Sequence, residues 1–200
     1  MRIKDKVVVI TGGSNGIGAH LVKTLINSGA KVAFGDIDQE SGKKLAEELN
    51  KEHKDSAIFV RCDVTDKNQY LNLFLEAEKT FGRIDVRTKY LLIEGTQIGI
   101  KFLKKHGGGV IINTASMSGV NPWYVAPVYS AAKSGVKTPM VKKAMKENPN
   151  FAEVIKRHGT LSINEVVNAF IHVIENDYLY ADVVKVTQTN LLEVLPKMKL

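Results

Sequence analysis

An α/β fold, with a doubly wound parallel sheet and helices on both faces, is predicted by three observations in the 200-residue sequence. Short β-branched runs alternate with amphipathic stretches through the first 86 residues; a glycine-rich turn stands where the first run gives way to the first amphipathic stretch; and an aspartate closes the second run. Strands that alternate with helices pair in parallel through right-handed crossovers. At 44% hydrophobic residues, a chain of this length can bury one sizeable core, so residues 1–200 are expected to form a single domain.

The elements follow in order. KVVVIT (6–11) has the β-branched character of a strand buried on both faces. The amphipathic stretch after the glycine turn runs through Ser28, with Gly29 as its stop. KVAFGD (31–36) reads as the second strand, and QESGKKLAEELNKEH (39–53) as a helix with Leu45, Ala46 and Leu49 on one stripe. AIFVRC (57–62) is the third strand and residues 66–81 the third helix. RIDV (83–86) is the fourth strand, with only Ile84, Asp85 and Val86 suited to it, and KYLLIEGTQIGIKFLKK (89–105) reads as a helix almost at once. GGVIINTAS (108–116) is a strand, and a further helix should begin near Val128 and end early at Thr138-Pro139. In residues 162–177, Ser162 and Glu165 have capping-box spacing, and Val166, Val167, Phe170, Ile171 and Ile174 form the buried stripe. DVVKVT (182–187) is the last strand.

Composition narrows the function. The single cysteine, Cys62, has no partner for an internal disulfide, and neither a signal peptide nor an apolar run long enough to span a membrane is present. A reducing, cytoplasmic setting is therefore expected. The five histidines are scattered without metal-ligand spacing. The net charge of +7 lies in the second half: residues 1–100 carry 15 basic and 14 acidic side chains, residues 101–200 carry 13 and 7. No nucleic-acid-binding motif accompanies the lysines, so solvation of helix faces explains them better than nucleic acid does.

TGGSNGIG (11–18) lies between the first strand and first helix. Gly12 can turn the chain sharply, Gly16 can let backbone approach a pyrophosphate, and Gly18 can bring the helix close to the sheet, with the helix N–H groups meeting the phosphates. The strand before, the helix after and Asp36 at the end of strand two make a Rossmann-like dinucleotide site. Ser14, Asn15 and Ile17 within the turn and Ile37 beside the acid complete the expected cofactor set. A carboxylate at Asp36 accepts hydrogen bonds from ribose hydroxyls and repels a 2′-phosphate; with no arginine or lysine in the turn or directly after Asp36, NAD is favoured over NADP.

In PVYSAAKSGV (127–136), Tyr129 and Lys133 stand four apart and share a helix face. An ammonium beside a phenol favours phenolate, bringing a group with a pKa of about 10 nearer to use as a base. Alone the pair is common. Together, TGGSNGIG, CDV (62–64) and VYSAAK (128–133) resemble the short-chain dehydrogenase/reductase family, nearest its NAD-preferring members.

The resemblance covers most of the chain and implies hydride transfer between a secondary alcohol, apolar or hydroxy-fatty-acid-like, and a nicotinamide. It implies Tyr129 as general base, Lys133 as the group that lowers its pKa and holds the nicotinamide ribose, and Ser116 as hydrogen-bond partner of the substrate oxygen. Asp63 and Val64 match the family's adenine-contacting positions, and Thr138 the threonine at the carboxamide end of the nicotinamide. Trp123, Tyr124 and Val125 suit an apolar substrate wall or plain loop packing.

The chain also departs from the family. The Asn-Asn-Ala-Gly motif after the fourth strand and the helix bearing a further catalytic asparagine are missing, about twenty residues in all; Thr88 falls nearest that asparagine's place. After SGV (134–136) about thirty more are absent, including the sixth strand and a Pro-Gly turn. The expected sheet thus has its central fourth strand shortened and its sixth strand missing. Residues 1–86 form an intact adenine-binding half, and 87–200 a shortened catalytic half whose helix would support a homodimer only weakly. Three readings follow: a working NAD-dependent dehydrogenase; a catalytically weak or inactive relative that keeps NAD binding or pairs with a full-length subunit; and a basic interaction module on a nucleotide-fold scaffold. The gaps favour weak or absent turnover.

Overall fold

Five consecutive buried residues, Val7–Thr11, form strand β1 of the computed structural model, which describes residues 2–89, 94–114, 161–176, 183–185 and 193–195. On one side β1 pairs with β2 (Lys31–Asp36), which pairs with β3 (Ala57–Arg61). On the other side β1 pairs with β4 (Val86–Lys89), and β4 with β5 (Val110–Asn113). All pairings are parallel, in the order β3-β2-β1-β4-β5. The order reverses between β1 and β4, the place where sheets of this type open a crevice at their strand C-termini.

Helices α1 (Gly16–Asn27), α2 (Gln39–Glu52), α3 (Lys67–Phe81) and α4 (Glu94–Lys105) connect the strands. Alternation along each strand divides the apolar side chains between two faces. Val9, Ala33 and Cys62 pack with Tyr70, Leu73, Phe74 and Ala77 of α3 and with Ile98 and Leu103 of α4. The ring of Phe74 lies 5.3 Å from Tyr70 and 5.2 Å from Phe102, centroid to centroid. On α2, Leu45, Ala46 and Leu49 are buried as their spacing predicts. There the β3 ring of Phe59 lies where any side chain on Gly42 would stand. Burial pushes the Cys62 thiol up to about 11, helped by the charges of Asp63, Asp66 and Asp36, so it stays protonated and unreactive at neutral pH.

The fourth strand forms at Val86–Lys89 rather than at 83–86, and the helix expected from 89 begins at Glu94. Ile84 is fully buried before the strand, and β4 takes the slot that β1 and β5 leave between them. Backbone ladders do not require apolar side chains, so the slot overrides the local pattern of VRTK. Strand β5 starts at Val110 rather than at 108 because Gly107 and Gly108, at φ +87° and +105°, close the end of α4; the Gly108 N–H donates to Leu103 O at 2.8 Å.

Helix α5 (Ile163–Glu175) carries the predicted capping box: Ser162 N–H donates to Glu165, and Glu165 N–H to Ser162 Oγ at 3.2 Å. Val167, Phe170 and Ile174 of its stripe are buried, joined by Ala169, while Val166 and Ile171 are half-buried. The strand expected at 182–187 forms as β6 (Val183–Lys185), but it is not the last: it pairs antiparallel with β7 (Glu193–Leu195) in a separate two-stranded sheet. A three-residue strand is too short to show a period in sequence. The chain groups into two units, Met1–Asn113 with Phe170–Leu179, and Thr114–Ala169 with Tyr180–Leu200. No described helix is long and apolar enough to cross a membrane.

Candidate dinucleotide site

At the C-terminal end of β1 the chain reverses through Gly12 at φ +72°, a conformation that disfavours any side chain. The N–H groups of Gly12 and Gly13 both donate to Gly35 O, at 2.8 and 3.3 Å, which fastens the turn to β2. A Cβ on Gly18 would overlap the Gly12 carbonyl, so the first turn of α1 rests directly on the glycine turn. Gly13, which the sequence did not single out, is equally constrained: a Cβ there would come within 2.6 Å of Phe34 Cβ.

Asn15 occupies the N-cap position of α1 in extended conformation, yet its side chain makes no capping hydrogen bond, and the first turn carries no acid. The N–H groups of Gly16, Ile17 and Gly18 are therefore left to an anion, at the positive end of the helix dipole.

Asp36 ends β2 beside this turn. Its Oδ2 accepts from Ser14 N–H at 3.0 Å and its Oδ1 from Asp38 N–H at 3.2 Å. No cation pairs with it among the described residues: Arg61, its register partner on β3, donates instead to Gln69 Oε1 at 3.0 Å. The carboxylate is thus oriented by neutral donors and keeps its charge unpaired. Ile37 beside it is 66% exposed, an apolar surface next to the acid.

Asp38 was not foreseen. One carboxylate oxygen accepts from Ser41 N–H at 3.1 Å and caps α2; the other accepts from Asn15 Nδ2 at 2.9 Å. Its carbonyl accepts from Ser14 Oγ at 3.3 Å. The hydrogen bonds from Ser41 and Asn15 hold its carboxyl below the usual range. The available signal was an aspartate three residues before Ser41 at a helix start; its reach to Asn15 is a matter of folding.

Asp63 closes its own turn, accepting from Thr65 Oγ1 at 2.7 Å and Thr65 N–H at 2.9 Å, which lowers its pKa. Val64 packs, half-buried, against the α3–α4 core. Of the expected site residues, the structure brings Gly12, Ser14, Asn15, Gly16, Ile17, Gly18 and Asp36 together around one turn. Ser116, Tyr129, Lys133 and Thr138, with Trp123, Tyr124 and Val125, lie outside the described residues. The described cradle fits a dinucleotide: two glycines admit no side chain, a helix start lacks its side-chain cap, and an oriented acid has no cation among the described residues.

Comparison with known proteins agrees with this geometry. A family model described as short chain dehydrogenase matches residues 6–87 and 92–156. The 15-hydroxyprostaglandin dehydrogenase (NAD+) of Rattus norvegicus is 27% identical over 246 positions, covering 94% of this chain and 92% of that protein. The 3-beta-hydroxysteroid dehydrogenase of Comamonas testosteroni is 34% identical over 161 positions, covering 68% of this chain and 61% of its own. Among solved structures, levodione reductase superposes with a TM-score of 0.72 at 21% identity, over 89% of this chain and 93% of that one. The L-sorbose reductase of Gluconobacter frateurii, complexed with NADPH and L-sorbose, gives 0.71 at 18%, over 87% and 92%. At these identities the solved structures speak for the fold alone. The family match breaks at residues 88–91, where β4 ends. Since 94% of 200 residues is about 188, about 58 of the 246 positions aligned with the rat enzyme have no residue in this chain, close to the fifty or so expected to be absent.

Proposed function

Because this chain belongs to the short-chain dehydrogenase family of oxidoreductases, we propose that it binds NAD and oxidises a secondary alcohol, apolar or hydroxy-fatty-acid-like, to the ketone. The observation that carries the proposal is the Asp36 carboxylate, oriented by Ser14 and Asp38 N–H groups beside an uncapped helix start and free of any cation among the described residues. A charge so placed accepts ribose hydroxyls and opposes a 2′-phosphate, which favours NAD over NADP. The similar rat enzyme is named for NAD+.

In this reading the N–H groups at Gly16, Ile17 and Gly18 hold the pyrophosphate, Asp36 the adenosine ribose, and Ile37, Asp63 and Val64 flank the adenine. Bound NAD supplies a hydride acceptor. Tyr129 takes the alcohol proton, Lys133 keeps the phenol acidic and holds the nicotinamide ribose, Ser116 steadies the substrate oxygen and Thr138 meets the carboxamide. The setting is reducing and cytoplasmic, and the shortened catalytic half supports a homodimer only weakly.

A second reading, retention of NAD with weak or no turnover, has its own support. The family match breaks where the Asn-Asn-Ala-Gly segment would follow β4, so a catalytic asparagine has no counterpart there. Thermal unfolding with and without NAD tests what both readings share: at 100 times its dissociation constant the ligand adds about 2.7 kcal/mol. A transition indifferent to NAD refutes both. If it shifts, assay of secondary alcohols, with Tyr129→Phe as control, decides between them: turnover lost in the variant supports the dehydrogenase, and none in either supports the second.

A further inference from the structure

We propose that Asp38 is a positioning residue for dinucleotide binding: by holding the Asn15 amide, it keeps that side chain from capping α1 and leaves the helix start open to the pyrophosphate. The inference rests on the reading that the glycine turn binds a dinucleotide.

Asparagine is among the residues most prone to cap a helix, because its side-chain oxygen readily accepts from the N2 or N3 backbone N–H. Asn15 stands at the N-cap of α1 with the extended backbone of a cap, at φ −140° and ψ 163°, yet no such bond forms. Its Nδ2 donates instead to Asp38 Oδ2 at 2.9 Å. That bond is exposed, but its acceptor is charged, and such a bond is stronger than one between neutral partners. Asp38 is itself fixed on three sides: its Oδ1 caps α2 through Ser41 N–H, its N–H donates to Asp36, and its carbonyl accepts from Ser14 Oγ. A self-capping Asn15 would occupy the N–H of Ile17 or Gly18, the donors a pyrophosphate needs, and the ligand would have to displace it. The same carboxylate therefore starts α2 and withholds the cap of α1.

The test uses Asp38→Ser, since serine still caps α2 but is too short to reach Asn15 as well. Amide hydrogen exchange at Ile17 and Gly18, followed by NMR without ligand, should slow several-fold at one of the two in Asp38→Ser, and return to the wild-type rate when Asn15→Ala is added. ADP-ribose, titrated as the probe, should bind Asp38→Ser about fivefold more weakly, the competition expected of one cap. The double variant should recover the affinity of Asn15→Ala alone, which a merely structural role of Asp38 would not permit. Unchanged exchange with unchanged affinity, or a loss that Asn15→Ala does not restore, overturns the inference. If the wild type takes up no ADP-ribose, the dinucleotide reading fails, while the exchange rates still decide what Asp38 does to Asn15.

Discussion

Asp36, which ends β2, and Asp85, which immediately precedes β4, are both oriented by backbone N–H groups, but only one of them is neutralised. Asp85 is 4% exposed and accepts from Val7 N–H at 3.0 Å, from Nε and Nη2 along one edge of the Arg83 guanidinium, and from Lys6 Nζ at 3.5 Å. Burial pushes its pKa up, and the Val7 N–H and the two cations more than reverse this, leaving it below the usual range. Asp36 has N–H donors and no cation among the described residues. A carboxylate whose field is cancelled locally serves the fold; one whose field is left standing can discriminate between ligands. The two ends of the sheet thus place one side-chain type in opposite electrostatic settings.

The largest effect should come from Gly18→Ala, which strikes the Asp36 end through backbone alone. Neither the Gly12 carbonyl nor the helix can yield cheaply, so a loss of about 3 kcal/mol in urea unfolding is expected, together with loss of the NAD-induced shift. Wild-type stability in that variant would show that the turn yields to a side chain. Asp85→Ala should cost about 2 kcal/mol, because the buried Val7 N–H loses its acceptor and Arg83 and Lys6 their anion. Since the folded pKa of Asp85 lies below its unfolded value, its contribution is present above about pH 4 and fades as pH falls through the folded pKa. Asp85→Asn should accordingly flatten the acid limb of the stability curve, and an unchanged limb would contradict the ion-pair account.

Asp36→Ser, by contrast, should cost about 1 kcal/mol or less in stability, while NAD loses its advantage over NADP in competitive titration. If stability falls as far as in Asp85→Ala, the distinction between the two acids collapses. The smallest change is expected at Glu78, which accepts from Lys105 Nζ at 2.9 Å and lies 2.7 Å from His106 Nε2, joining α3 to α4. Glu78→Gln should lower the unfolding free energy measured in urea by only about 0.5 kcal/mol, and less at high salt.

What could be read without coordinates was local. The glycine turn is legible because Gly12 and Gly18 constrain each other within eight residues, whereas Gly13 answers to the distant Phe34; Asp36 is legible because strand end and spacing coincide; Ser162 and Glu165 announce a helix by themselves. What could not be read depends on distant chain. Arg87, Thr88 and Lys89 offer no apolar alternation, so only the neighbours Val9, Ile10, Ile111 and Ile112, paired with them across the sheet, reveal a strand there. Nothing in the sequence around Asp38 points to Asn15, which folding brings to it from 23 residues away. The pairing of β6 with β7 joins two segments of three residues, each too short to carry a period.

The surroundings of Asp85 also settle a question of alignment along the sheet. A strand's register is normally specified by which of its residues must face the core, and a slip of one residue exchanges the faces. Strand β4, with two basic residues and a threonine after Val86, has little such specification of its own. Asp85 supplies it from outside the strand: its N–H donates to Val7 O at 2.9 Å, its carboxylate receives the Val7 N–H, and its carbonyl receives the Val110 N–H at 2.9 Å. Sliding β4 by one position would break all three bonds at once. The residue before the strand is its index mark against both neighbours, so this sheet can carry a central strand of unsuitable composition and still hold it in step.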